Sequence, residues 1–167
     1  MVPQEASALL LVSLNMANPK PLVQVATLCE SVITEPDKVS SIIRIIDTIY
    51  LQVPPGVTLG PGEVGAVPLK AFISLKSGGV TGEYDLDLVL RTPSGKKGEP
   101  QKWHVSFLGN ESGATARIDF MLPVKEFGLY WYDVIWEGET LTSVPIKLVD
   151  GPRPGSEGPE RKKSAIR

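Results

Sequence analysis

The chain has 167 residues, a formal charge of −2, one cysteine and one histidine. A single cysteine excludes an internal disulfide, and one cysteine with one histidine leaves too few soft ligands for a zinc site. The slightly acidic balance lacks the basic footprint that binding to a nucleic-acid backbone needs.

Glycine and proline are abundant, with 16 and 15 residues, where average usage would give roughly 20 of the two together. This excess indicates many turns and many short strands. The length fits one domain. We place a sandwich domain at residues 21–149, after an N-terminal extension at 1–20 and before a charged, proline- and glycine-rich tail at 150–167 that we expect to be disordered.

The extension contains an apolar run, Ala8 to Leu14, which is too short to span a bilayer and lacks the basic flank of a secretory signal. Met16 opens a clean run into the first strand-like segment and is a second candidate start. We therefore expect neither a secretory signal nor binding to membranes.

The signal from Leu22 onward is that of β-structure. Residues 22–29 alternate, and Ser41 to Val53 is rich in isoleucine, which favours strands. Because the isoleucines fall on both faces, this pattern predicts one long central strand that is not at an edge. Residues 54–66 hold seven glycines and prolines and predict a long loop that crosses between two sheets.

The clearest half-buried strand is Gly82 to Arg91, where apolar and polar residues alternate. A turn at 92–95 leads to inward Trp103, Val105 and Phe107, so a hairpin is expected. Further strands are predicted at 68–75, 117–122, 129–136 and 141–149. About eight strands and no helix indicate an all-β, antiparallel sandwich.

The segment Glu126 to Tyr132 resembles the acid-x-Gly-x-Tyr-x-Cys pattern of immunoglobulin-like domains, with Gly128 at the glycine and Tyr132 in place of the cysteine. The likeness implies an immunoglobulin-like sandwich in which Tyr130 forms a tyrosine corner through a hydrogen bond to the upstream backbone. Both Tyr130 and Gly128 then have structural roles.

The parity of the same strand sends Trp131, Asp133 and Ile135 to the outer face. Two interpretations stay open. These residues form an interaction surface, since tryptophan is enriched at binding hot spots, or they are covered, either by the N-terminal segment or a loop or as part of a second apolar layer.

No catalytic residue, cofactor site or metal site is predicted. A nucleophilic pair of Cys29 and His104 would need the two side chains to meet in space, whereas Cys29 lies in an apolar strand and His104 on a polar face. We expect a buried structural thiol and a solvated imidazole. The carboxylates of Glu83, Asp85 and Asp87 share one face, as on an ordinary solvated strand.

Several short motifs together resemble a bacterial family of short, cytoplasmic, uncharacterised β-sandwich proteins. They are Leu28–Val32, Ile43–Asp47, Gly82–Leu86, Thr92–Gly95, Phe127–Tyr130 and Val144–Ile146, and the likeness extends over residues 21–149. The resemblance implies the fold and brings no catalytic residues.

We therefore expect a non-enzymatic interaction module that binds another protein or associates with itself. The alternative is a sandwich that binds a small ligand or glycan with the help of the 54–66 loop.

Overall fold

The computed structural model describes residues 19–52, 65–109 and 112–155, and these form a two-sheet β-sandwich. The four-stranded sheet has the order β2-β1-β4-β7, and the five-stranded sheet has the order β3-β9-β8-β5-β6. Every pairing is antiparallel except that of β3 with β9. The predicted all-β sandwich is confirmed, and the described residues contain no helix. The strands are β1 Leu22–Thr34, β2 Ser40–Ile45, β3 Thr48–Leu51, β4 Gly65–Lys76, β5 Thr81–Arg91, β6 Gln101–Leu108, β7 Gly113–Val124, β8 Gly128–Trp136 and β9 Glu139–Asp150.

Simple alternation predicted the β5–β6 hairpin correctly. Leu86 and Leu88 of β5 are buried, and Val105 and Phe107 of β6 lie beside them on the inner face. The polar residues between them point outward, with Asp85 opposite His104. An apolar side chain at every second position therefore fixed both the strands and the face that each buries.

The prediction of one central strand at 41–53 is wrong. The run breaks at Ile46 and Asp47 into β2, at one edge of the four-stranded sheet, and β3, at one edge of the five-stranded sheet. Backbone hydrogen bonds join Ile46 N–H to the Leu28 carbonyl and Lys147 N–H to the Asp47 carbonyl, so these adjacent residues belong to different sheets. Both faces are apolar because the chain changes sheets, and not because two layers cover one strand.

The chain changes sheets again between β3 and β4, as predicted for the 54–66 loop. Residues 53–64 lie outside the described part. The first paired residue of β4 is Gly65 rather than the expected Pro68, so the predicted loop extended a few residues too far.

The core fills the space between the sheets. Its buried side chains come from every strand except the edge strands β2 and β3, and the partly buried Ile49 and Leu51 of β3 pack against it. Three aromatic rings pack together at the end of this core where β8 finishes: the centroids of Tyr84 and Trp136 lie 4.4 Å apart, and Phe107 lies 6.4 and 6.2 Å from them. Burying such rings dominates the stability of a domain of this size.

Residues 1–18 and 156–167 lie outside the described part, and with them most of the predicted extension and tail. Within the described end of the extension, Lys20 forms an ion pair with Glu139. Pro21, the first residue of the predicted sandwich, is fully buried. At the other end, β9 continues to Asp150, the first residue of the predicted tail.

Candidate interaction surface

The predicted surface of Trp131, Asp133 and Ile135 lies on the outer face of the five-stranded sheet, as the parity of β8 required. Trp131 pairs with Arg91 and Asp133 with Val89, both on β5. However, Asp133 is only 5% exposed, and Trp131 and Ile135 are half-buried. Parity gave the correct side of the sheet but not the depth of the side chains.

An ion pair accounts for the burial of Asp133. The Arg91 guanidinium donates from Nε and Nη2 to the two carboxylate oxygens, each at 3.1 Å. Burial alone would raise the pKa of Asp133, but hydrogen bonds from Arg91 and Ser143 outweigh it and hold the pKa below its ordinary value. The carboxylate is therefore charged and already satisfied, which leaves little of it for a partner.

The same guanidinium lies over Trp131, with Cζ 5.4 Å from the ring centroid. A cation in this position is attracted to the face of the indole, so Arg91 joins the tryptophan and the aspartate in one cluster. The burial of Asp133 therefore comes from Arg91 on the neighbouring strand of the same sheet. Sequence reasoning missed Arg91, although its place on the outer face of β5 could have suggested a partner for Asp133.

The tyrosine corner is confirmed. The Tyr130 hydroxyl donates to the Glu126 carbonyl at 2.8 Å and accepts from the N–H groups of Lys125 and Glu126 at 3.3 and 3.2 Å. Gly128 has φ +133°, and a Cβ there would lie 2.9 Å from Cβ of Pro93. Both residues fix the entry of the chain into β8.

Cys29 and His104 do not form a pair, in agreement with the expectation of a buried thiol and a solvated imidazole. Cys29 is fully buried on β1 of the four-stranded sheet, and His104 is exposed on β6 of the other sheet. Burial raises the pKa of the Cys29 thiol. His104 Nδ1 lies 2.9 Å from Asp85 Oδ1, and this hydrogen bond lowers the pKa of Asp85. The imidazole therefore belongs to a solvated charged face, as expected.

Among the described residues no group of three or more histidine, cysteine, aspartate or glutamate side chains is arranged to hold a metal ion. A search of the same part of the chain for helices able to cross a membrane finds none.

The outer face of the four-stranded sheet carries most of the exposed apolar residues. Ile45 is 68% exposed and Met121 57% exposed. Further exposed aliphatic side chains on this face come from β1 and β2, namely Val25, Ile33 and Ile43. Large apolar groups concentrated on one outer face typically mark an interaction site.

The β1–β2 hairpin curls over this face. Arg117 of β7 points outward and donates to the Ser40 hydroxyl of β2 at 2.9 Å. In a flat sheet these strands would lie about 14 Å apart, three strand spacings, which is too far for this contact. The hairpin therefore bends toward β7 on the outer side, which accounts for the burial of Cys29 and Phe72 on an outer face.

The bend leaves a cleft where β1 separates from β4. The two strands pair only as far as Cys29 and Lys70, and Pro68, just beyond, has no N–H to donate. Two cavities of about 450 and 430 Å³ open there and share Ile46, Pro68 and Leu69 as walls. We call the residues around them the apolar cleft, formed by Ile45, Ile46, Pro68, Leu69 and Met121.

The charged side chains that line the first cavity each belong to an ion pair. Arg44 Nη1 lies 2.7 Å from Glu30 Oε2, and Lys70 forms an ion pair with Asp119. Glu30, Lys70 and Asp119 line this cavity, which is otherwise apolar. The first cavity thus presents apolar surface inside a rim of paired charges, whereas the walls of the second also include Asp47 and Arg153.

Sequence reasoning did not find the apolar cleft. Its one available signal was the isoleucine run with two apolar faces, which was interpreted as a buried central strand. The position of Ile46 beside Pro68 and Met121 has two causes. They are the register of β4 with β7 and the separation of β1 from β4 after Cys29. Local periodicity predicts neither of them.

No protein-family model matches the chain, and no curated protein matches it. An immunoglobulin-like protein from Pseudomonas aeruginosa has a similar structure, with a TM-score of 0.40 and 13% identity over 80% of this chain and 99% of the other. A β-glucosidase from Listeria innocua, solved with isofagomine, gives a TM-score of 0.39 and 14% identity over 76% of this chain but only 16% of that chain. Neither similarity carries information on ligand or activity.

Proposed function

We propose that this chain is a non-catalytic interaction module that binds protein through the apolar cleft. One observation carries the proposal: Ile45, the most exposed isoleucine of the described residues, lines the 430 Å³ cavity, which shares walls with the mainly apolar 450 Å³ cavity on an outer face of the sandwich. Exposed aliphatic side chains beside a pocket are costly in water and favourable once a partner covers them.

This surface replaces Trp131, Asp133 and Ile135 as the primary binding face. The Arg91–Asp133 ion pair occupies the polar groups of that cluster, whereas Ile45 and Met121 touch solvent over more than half of their area. In line with the family resemblance, we propose that the module works in the bacterial cytoplasm, where a free thiol such as Cys29 is usual.

The test is a pull-down from cells of the source organism, with mass spectrometry that also scores copies of the chain itself. The variant Ile45→Asp places a charge in the apolar cleft. Leu108→Asp is the matched control, because Leu108 is 84% exposed on β6 of the other sheet. Trp131→Ala reports on the second face.

Proteins retained by wild type, Leu108→Asp and Trp131→Ala but lost by Ile45→Asp support the proposal. Identical protein sets from Ile45→Asp and wild type, with the variant folded by circular dichroism, overturn it. If the bound proteins are lost only with Trp131→Ala, the binding site lies on the five-stranded sheet.

A second candidate function is the binding of a small ligand or glycan. The 430 Å³ cavity is lined by Tyr50 and Val67, which lie on either side of the 54–66 loop in the sequence, and its walls include polar groups from Arg44 and Asp47. Its volume falls within the usual range for small-molecule sites. A thermal-shift screen with sugars and small metabolites tests it, and a hit abolished by Tyr50→Ala but not by Leu108→Asp would favour this alternative.

A further inference from the structure

We infer that the partner of the apolar cleft is a second copy of this chain, related by a two-fold axis, with Ile45 of each copy inserted into the 450 Å³ cavity beside Met121 of the other. This inference rests on the proposed function and names the partner of the same site.

The first argument is self-complementarity. A two-fold interface needs a projection and a matching recess on the same surface, because residue i of one copy meets residue j of the other and the reverse. Ile45 is 68% exposed and lines the 430 Å³ cavity, which shares Ile46, Pro68 and Leu69 as walls with the 450 Å³ recess. The cavity volume exceeds that of one isoleucine side chain, which leaves space for its approach.

The second argument is charge. The Arg44–Glu30 and Lys70–Asp119 pairs neutralise the rim within each copy. Two such faces can meet without the like-charge repulsion that an unpaired rim would impose. A strongly acidic or basic partner would gain little from this surface, whereas a second neutral, apolar face gains from burial.

The third argument excludes strand addition as the mode of contact. β2 is an edge strand, but its backbone is irregular near its end. Arg44 has φ +53°, and Glu30 of β1 has no paired residue in β2. A kink and a charge on an edge strand discourage the pairing of another strand. Contact through side chains is therefore favoured over an extended sheet.

The first experiment measures association of the full chain by analytical ultracentrifugation over a wide concentration range. Wild type and Leu108→Asp should dimerise alike, and Ile45→Asp should weaken association at least about 30-fold, as expected for a central hot spot. Ile45→Val, which keeps an apolar projection, should retain most of the affinity.

The second experiment tests the contact itself by disulfide trapping. The double variant Ile45→Cys/Met121→Cys should form a covalent dimer under mild oxidation, because the two positions meet across the axis, whereas Leu108→Cys should not. All these variants also carry Cys29→Ala, because Cys29 is the cross-strand partner of position 45 and its thiol would otherwise pair with the new cysteine within one chain.

A wild-type chain that stays monomeric at all concentrations overturns this inference, as does dimerisation that Ile45→Asp leaves unchanged. The proposed function survives the first of these results if the pull-down still shows foreign proteins that depend on Ile45. If that dependence is also lost, the proposed function fails too.

Discussion

Two tyrosines on one face of β8 should respond in opposite ways to the loss of a hydroxyl group. Tyr130 is fully buried, and its hydroxyl makes three hydrogen bonds to the backbone of Lys125 and Glu126, the shortest at 2.8 Å. Tyr132 is 3% exposed, and its hydroxyl has no hydrogen-bond partner among the described residues.

The magnitudes follow from what each change leaves behind. In Tyr130→Phe the Glu126 carbonyl loses its donor and two N–H groups lose their acceptor in a partly buried site. Leaving such groups unsatisfied costs about 1–3 kcal/mol, and we expect about 2 kcal/mol because two of the three bonds are long. Tyr132→Phe removes an unpartnered polar atom from the core and should be neutral or stabilising by up to about 1 kcal/mol.

Urea denaturation followed by tryptophan fluorescence measures both variants. The midpoint should fall for Tyr130→Phe and stay level or rise for Tyr132→Phe, with unchanged m-values that show the same surface exposed on unfolding. Equal losses for both variants would refute the reasoning, since the effect would then reflect packing at β8 and not hydrogen bonding. A midpoint for Tyr130→Phe equal to that of wild type would refute the corner as a source of stability.

Three further changes test other parts of the fold. Gly128→Ala should lower the stability of the fold by about 1–3 kcal/mol, because φ +133° strains an L-residue and the new Cβ would approach Pro93. A thermal unfolding midpoint equal to that of wild type would contradict this. Arg91→Met leaves the buried Asp133 carboxylate without its ion-pair partner. In urea denaturation at pH 7 it should lower the free energy of unfolding by about 1–3 kcal/mol, less than for a fully buried pair because the arginine is partly exposed. Below the pKa of Asp133 this loss should shrink, because protonation removes the unpaired charge. Burial raises the pKa of Tyr132 from 10.0 to about 12. The unfolded chain therefore releases this proton first, and the free energy of unfolding should fall between pH 10 and 12, by up to about 1.4 kcal/mol per pH unit. Tyr132→Phe should remove that part of the fall, and parallel pH curves for variant and wild type would reject the prediction.

Local patterns were sufficient where each strand has one buried face. On β5 and β6 the alternation placed Leu86, Leu88, Val105 and Phe107 inside, and the motif around Tyr130 placed the corner correctly. In these segments the side-chain period of two and a short backbone motif decide the structure, and both can be read within about ten residues.

Local sequence patterns gave wrong predictions where the burial or pairing of a residue depends on segments distant in the chain. Asp133 is buried because Arg91, 42 residues earlier, reaches it across β5 and β8. The isoleucine run gives two apolar faces to any local analysis, yet Ile46 and Asp47 bond to different sheets. A change of sheet and a continuous central strand leave the same local signature, so only the tertiary hydrogen bonds distinguish them.

The apolar cleft lies at the point where the chain changes sheets. Cys29 pairs with both Lys70 and Ile45, the last residue of β2, so the β1–β4 ladder ends at the level where the chain leaves β2 for the five-stranded sheet. Beyond that level, residues 65–69 of β4 pair with β7 on one side only. The opening beside Pro68 and the exposure of Ile45 therefore occur at one step of the topology, which ties the location of the proposed interface to the strand pairing and not to an accidental grouping of surface residues.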